Sequence, residues 1–355
     1  MARSSLSVFS LIATLACWIS LGTLAQAQLV FDGEMISDAT TVAAAKTEGR
    51  LLHYGTYPID AMRSIHEAFQ SETGIKVEYV RLPSQGMFQR VVSEYAAKRL
   101  EADIVDLTEL PLIQLLVERG VLNAPHKVPD FDKIPTAIRE QDGRWYALVR
   151  PVGVIAVNRS RVADSEIPKS WKDILNPKWK GLIGTANIDA GGSVLTLYSF
   201  LRDKIDPDFW KKLAAQMPRI YPAVAPLSTD LTRGEIAIAI GAIAEPVWLQ
   251  MKAGAPVKVI FPSEGISSFP AAGGVSTTAK NPNAAALFLD WITSKHGGNV
   301  VARGGAYPTN TASNIPHLDG LDYPQQNKVY NLKAEEWVAN RDDMMKQWRE
   351  TFGVK

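Results

Sequence analysis

The sequence predicts an α/β protein of two lobes, each a mixed, mostly parallel sheet covered by helices, with a ligand cleft between them. Three observations point there. Short β-rich runs alternate with helical stretches from about residue 50 onward, an order that builds parallel sheets. A long β-rich run from Trp145 to Asn158 is broken by Pro151 and Gly153, as expected where a chain leaves one lobe to start another. The length, 355 residues, suits about two ordinary domains.

Composition narrows the function classes. The chain is 46% hydrophobic and 21% charged, with a formal net charge of +1. Such a chain can bury its cores without metal or disulfide staples. It lacks the broad basic excess of a nucleic-acid binder, so no nucleic-acid partner is expected. The start reads as a secretory signal. Met1-Ala2-Arg3 is a positive leader, Leu6 to Leu24 is apolar, and Ala25-Gln26-Ala27 fits a small-x-small cleavage site. Residues 1–27 are therefore expected to be removed, leaving a mature, periplasmic chain from Gln28. The sole cysteine, Cys17, leaves with them, which excludes thiol catalysis and thiolate metal sites from the mature protein.

The elements follow in order. Leu51 to Tyr57 reads as a strand and loop, and Pro58 can open the next helix. Ile59, Met62, Ile65, His66 and Phe69 recur at helical spacing, and Gly74 stops the helix. Ile75 to Val80 alternates as a strand, and a helix spans about 85–99. Ala102 to Leu107 is a third strand, followed by a helix over 109–119 that ends at Gly120. Further on, Gly181 to Thr185 is a strand entering the turn Asp189-Ala-Gly-Gly-Ser193, with a helix after it. Ile236 to Gly241 is a small, uniformly apolar strand, suited to burial on both faces. A helix from about Glu245 to Ala253 leads to the strand Val257 to Phe261, and the tail reads as helical over 284–294 and 326–351. The lobes are expected as 28–152, then 153–268, then a return of 269–355 to the first lobe, with crossings near 149–154 and 266–272. Open α/β sheets bind ligands beyond the carboxyl ends of their strands, so two facing lobes would aim two sets of loops at one cavity.

Several segments resemble a known family. Phe69-Gln-Ser-Glu-Thr-Gly-Ile-Lys-Val77, Ala102-Asp-Ile-Val105, the run Pro168 to Gly181 containing Ser-Trp-Lys-Asp-Ile-Leu-Asn-Pro-Lys-Trp-Lys, Asn281 to Ile292, Gly298-Asn299 and Ala306-Tyr-Pro308 occur in an order similar to periplasmic solute-binding proteins of ABC importers. The closest branch is the ferric-iron type of family 1, with the type II periplasmic binding fold. The resemblance implies capture of a small molecule by hinge closure and delivery to an inner-membrane permease. It implies a monomer without a cofactor. Ferric members hold iron with a His after the first strand, a Glu after the third, and adjacent tyrosines after the small-residue strand. Here those places carry Tyr57, Thr108 beside Glu109, and Ala244-Glu245. Without the phenolate pair, the resemblance favours a small anionic organic solute. Ferric iron, an iron chelate and a polyamine remain alternatives.

The residues themselves offer a candidate site. Thr56 and Tyr57 follow strand one, and Tyr57 combines a stacking face with a hydroxyl; Tyr54 is assigned to the core. Ser84 and Gln85 follow strand two, where N-capping is the competing use. Thr108 and Glu109 follow strand three, and Glu109 could instead balance a helix dipole. Arg150 stands at the first crossing, where a guanidinium can fork onto a carboxylate or phosphate. Thr185, Asp189, Gly191, Gly192 and Ser193 form a Gly-rich helix start suited to a small anion. Glu245 opens another helix, and Phe269 is a candidate apolar wall at the return crossing. The histidines show no metal spacing, and no nucleophile elbow or Walker loop occurs. No enzyme is expected, and Asp103/Asp106 read as packing. A sensory binding protein and a secreted hydrolase are the readings from other classes.

Overall fold

The computed structural model describes residues 28–354; the expected signal segment 1–27 lies outside them. A short hairpin, β1 (Leu29–Phe31) and β2 (Glu34–Ser37), precedes α1 (Ala39–Glu48). Asp38 caps α1 by accepting from the Thr40 and Thr41 amides at 2.8 and 3.0 Å. The first sheet then takes β3 (Arg50–Gly55), α2 (Ile59–Thr73), β4 (Lys76–Arg81), α3 (Ser84–Ala96), β5 (Ile104–Leu107), α4 (Leu110–Glu118) and β6 (Tyr146–Val149). Helix α2 buries Met62, Ile65 and Phe69 and ends at Gly74.

After Pro151 the chain enters β7 (Val152–Asn158), β8 (Ile183–Ala186), α5 (Gly192–Phe200), α6 (Phe209–Ala214), β9 (Arg219–Tyr221), α7 (Val224–Arg233), β10 (Ile238–Ile243), α8 (Ala244–Lys252), β11 (Val257–Ile260) and β12 (Ile266–Ser268). It returns to the first sheet through β13 (Ala271–Val275), continues as α9 (Pro282–Thr293) and α10 (Lys295–Arg303), and finishes with β14 (Val329–Asn331) and α11 (Ala334–Phe352).

The first sheet has five strands in the order β4-β3-β5-β13-β6, with β3 parallel to both β4 and β5. The second has seven, ordered β14-β12-β7-β10-β8-β9, with β11 also on β7. Both are mixed, because the strands adjoining the crossings, β13 and β7, run antiparallel to their neighbours. Every residue of β10 is buried, as its composition requires. Its pairing with β7 shifts between Ile240 and Ala242 at Gly241, whose φ is 77° and where a Cβ would come within 2.7 Å of Leu197.

The C-terminal segment departs from its expected place. Residues 326–351 are not one helix: β14 interrupts them and pairs in parallel with β12, so this segment adds to the second sheet rather than the first. The physical cause lies in α11, whose buried Trp348 packs 5.0 Å from Trp210 and 6.1 Å from Tyr198, both on the second lobe. The helices α1 and α10 and the N-terminal hairpin were also not anticipated.

Candidate functional site

The loop after β3 is built on a buried carboxylate. Asp106 Oδ1 accepts from the Thr56 amide and hydroxyl at 3.1 and 3.0 Å. Its Oδ2 lies 2.7 Å from His53 Nε2, and His53 Nδ1 lies 3.0 Å from His66 Nε2. Burial and the neighbouring His53 hold the His66 pKa down to about 2, so its ring is neutral. Thr56, a candidate ligand residue, is committed inside the first lobe. Asp103 is also structural: it accepts from the Leu52 and Asn281 amides.

Tyr57 points the other way. Its hydroxyl donates to Glu245 Oε2 at 2.6 Å, and both side chains are buried. The phenol comes from the loop after β3 and the carboxylate from the start of α8, so this bond joins the two lobes. Burial, opposed by the bond from Tyr57, pushes the Glu245 carboxyl up to about 7. Burial and the facing carboxylate push the Tyr57 phenol well above its ordinary range. The Tyr323 ring stands nearby, its hydroxyl donating to the Gly305 carbonyl at 2.9 Å.

A second group gathers at the carboxyl end of β5. Ser84 Oγ accepts from the Thr108 amide at 3.0 Å and lies 2.9 Å from the Thr108 hydroxyl, so Ser84 ties β5 to α3 instead of capping its own helix. Gln85 is exposed. Glu109 is buried at the start of α4 without capping it; its carboxyl is raised by burial and opposed by Arg341, whose Nη2 is 3.5 Å away.

The Gly-rich start of α5 meets this group directly. Gly191 has φ 126°, and a side chain on Gly192 would run into the Thr108 carbonyl. The helix start offered to an anion by sequence thus rests on the first lobe. Ser193 is half-buried, and Asp189 is exposed, 3.8 Å from Arg349. Thr185 is fully buried in β8, its hydroxyl without a hydrogen-bond partner among the described residues.

Arg150 occupies the crossing itself. Its Nε and Nη2 donate to the Pro308 carbonyl at 3.2 and 2.7 Å, and its guanidinium lies 5.9 Å from the Tyr307 ring centre. It forms no ion pair among the described residues, although it is only 5% exposed. Burial lowers its pKa to about 10. Phe269 is buried beside it, its amide donating to the Pro151 carbonyl at 3.3 Å.

The structure therefore unites Tyr57 with Glu245 and Ser84, Thr108 and Glu109 with Gly191 and Gly192. It leaves Gln85 and Asp189 outside and commits Thr56 elsewhere. Sequence reasoning missed Tyr323, which precedes the segment read as helix, and Arg341, which lies within it; only the charge of Arg341 hinted at a role. Among the described residues no three His, Cys, Asp or Glu side chains could together hold a metal ion.

Two α/β lobes joined by crossing strands, with polar groups of both meeting at the join, define a two-lobed solute-binding protein. The chain belongs to the family of bacterial extracellular solute-binding proteins, which matches residues 101–340. It is 28% identical over 326 residues to an uncharacterized protein of Haemophilus influenzae, covering 86% of this chain and 91% of that one. It is 24% identical over 296 residues to the Fe(3+)-binding periplasmic protein of Serratia marcescens, covering 79% and 86%. In fold it is similar to the periplasmic binding protein AfuA of Actinobacillus pleuropneumoniae, solved with fructose-6-phosphate, at a TM-score of 0.70 and 21% identity, over 87% of this chain and 100% of that one. Iron-bound HitA of Pseudomonas aeruginosa gives 0.67 and 18%, over 85% and 99%. The chain is therefore a bacterial extracellular solute-binding protein, and its partner is a small ligand.

Proposed function

We propose that the chain captures ferric iron together with a small oxygen-donor chelator and delivers the complex to its permease. The Tyr57–Glu245 bond carries this reading: a phenol and a carboxyl, one from each lobe, meet at 2.6 Å. Hard Fe(III) favours anionic oxygen ligands. Two such donors leave coordination positions to be filled by ligands that arrive with the metal. The anionic organic solute expected from sequence enters as the chelator, and the buried guanidinium of Arg150 suits its carboxylate. The iron named for the Serratia marcescens relative supports the same cargo. Iron binding would strip a proton from Tyr57, and the lobes would close because the cargo binds the closed form better.

A metal-free anion such as a sugar phosphate is the second reading. Arg150 without an acid partner favours it, as does the likeness to fructose-6-phosphate-bound AfuA. Cleavage after Ala27, the monomeric state and lobe limits at 28–152, 153–268 and 269–325, with β14 and α11 assigned to the second lobe, belong to the same proposal.

The test uses the mature chain from Gln28. Ferric citrate should raise the melting temperature and produce a visible phenolate-to-iron absorption band that Tyr57→Phe abolishes, whereas citrate alone should do neither. A stabilisation by fructose-6-phosphate with no band from any ferric complex would replace the iron reading with the second.

A further inference from the structure

We propose that a groove between the first lobe and α11 is a second binding site, for a small amphipathic carboxylate. The groove has a volume of about 1020 Å³, at the upper end of the roughly 300–1,000 Å³ usual for small-molecule sites. Its first-lobe wall is α4 and the segment 127–145, and its other wall is α11. Tyr57 and Glu245 do not line it, so the inference does not depend on the iron reading.

Three features define the chemistry. The Arg139 guanidinium stacks 3.7 Å from the centre of the Phe131 ring, and Lys127 Nζ lies 5.1 Å from the same centre. Arg139 spends its Nε on the Ile134 carbonyl at 2.9 Å, and neither cation forms an ion pair among the described residues. The acid of this wall, Glu140, is engaged: its Oε2 accepts from the Asp142 and Arg144 amides at 2.8 and 3.2 Å. The groove thus carries two cations against one carboxylate, a net positive charge, and neither cation is ion-paired among the described residues. Its floor is apolar, with Phe131 and Trp145, and across from them Val338 of α11 is 57% exposed. Val338, Phe131 and Trp145 thus place apolar surface in the groove beside its cations.

A carboxylate fits the Arg139 fork, whose Nη atoms remain free to donate, with Lys127 adding charge. An aromatic or short aliphatic body fits between Phe131, Trp145 and Val338. Both lobes contribute walls, since α11 is anchored on the second lobe through Trp348 and Trp210. Occupancy therefore adds contacts between the lobes and favours the arrangement in which they meet.

The test is calorimetric titration of the whole mature chain with 3-phenylpropanoate and, separately, with its neutral amide. The acid should bind about tenfold more tightly than the amide, because a charge-assisted bond is lost with the charge. Arg139→Gln should remove that preference. Val338→Glu, at an exposed position that does not threaten folding, should weaken the acid by a similar factor by placing a negative charge on the opposite wall. The ferric citrate band should be unchanged in both variants. Equal affinity for acid and amide, no binding of either, or unchanged acid binding in Val338→Glu would overturn the proposal.

Discussion

Asp106 and Glu245 are both buried carboxylates serving one loop, Thr56–Tyr57, yet they are held differently. Asp106 accepts two bonds from Thr56 and one from His53, all within the first lobe. Among the described residues Glu245 receives a single bond, from Tyr57 of the opposite lobe, and burial lifts its pKa to about 7. The first carboxylate is over-supplied with partners and fixes a loop permanently. The second is under-supplied, and its one partner is lost whenever the lobes part. The same contrast recurs under α11, where buried Thr196 Oγ1, Arg341 Nε and the Trp337 and Trp348 ring nitrogens have no hydrogen-bond partner among the described residues. The Asp106 network is fully paired, whereas Glu245 and Arg341, whose bonds to Tyr57 and Glu109 cross the join, are not; unpaired buried atoms such as Glu94 Oε2 and Trp348 Nε1 also occur within the lobes.

The largest effect should come from Asp106→Ala. It strands the His53 ring and both Thr56 donors in a buried site, and should cost about 3–5 kcal/mol in urea unfolding. A loss below about 1 kcal/mol would mean that the network is not the loop's foundation.

Glu245 should show itself through pH. Its folded pKa is about 7 against an ordinary 4.5, so between those values the folded chain binds more protons than the unfolded one. Stability is then greatest below the unfolded value and declines as pH rises through the folded one, by on the order of 3 kcal/mol at most. Melting temperatures from pH 4.5 to 8 should follow this decline, and Glu245→Gln should flatten it. Identical slopes would show that the carboxyl is not held as described.

Gly192→Ala addresses the join by geometry. The added methyl has no room against the Thr108 carbonyl, so the lobes must separate. We expect a larger radius of gyration in small-angle scattering and a stability loss of about 1–3 kcal/mol. The smallest effect belongs to Arg349→Ala. Its contact with Asp189, 3.8 Å long and roughly half-exposed on both sides, should contribute no more than about 0.5 kcal/mol by the same urea assay.

Much of this architecture was legible because local chemistry and global fold agree. The spacing of Met62, Ile65 and Phe69 and the stop at Gly74 could serve only a helix with one buried face. Pro151 and Pro270, which cannot donate to a ladder, stand at the two passages between the sheets. The site was less legible. Thr56 and Tyr57 are adjacent in sequence and look equally available, but the alternation along the chain turns one toward Asp106 and the other toward Glu245, 188 residues away. Arg150 looked like an anion ligand, and only the fold reveals the Pro308 carbonyl, 158 residues on, as its present partner.

Residue order was sufficient for the α/β class, the helices with a single apolar face, the doubly buried β10 and the passage of the chain between two sheets, because periodicity and proline stereochemistry act over a few residues. Tertiary contact decided that β14 joins the second sheet, that Trp348 anchors α11 there, and that Tyr57 meets Glu245. Those outcomes depend on burial and hydrogen bonding between segments far apart along the chain, and nothing in the neighbourhood of either partner encodes the meeting.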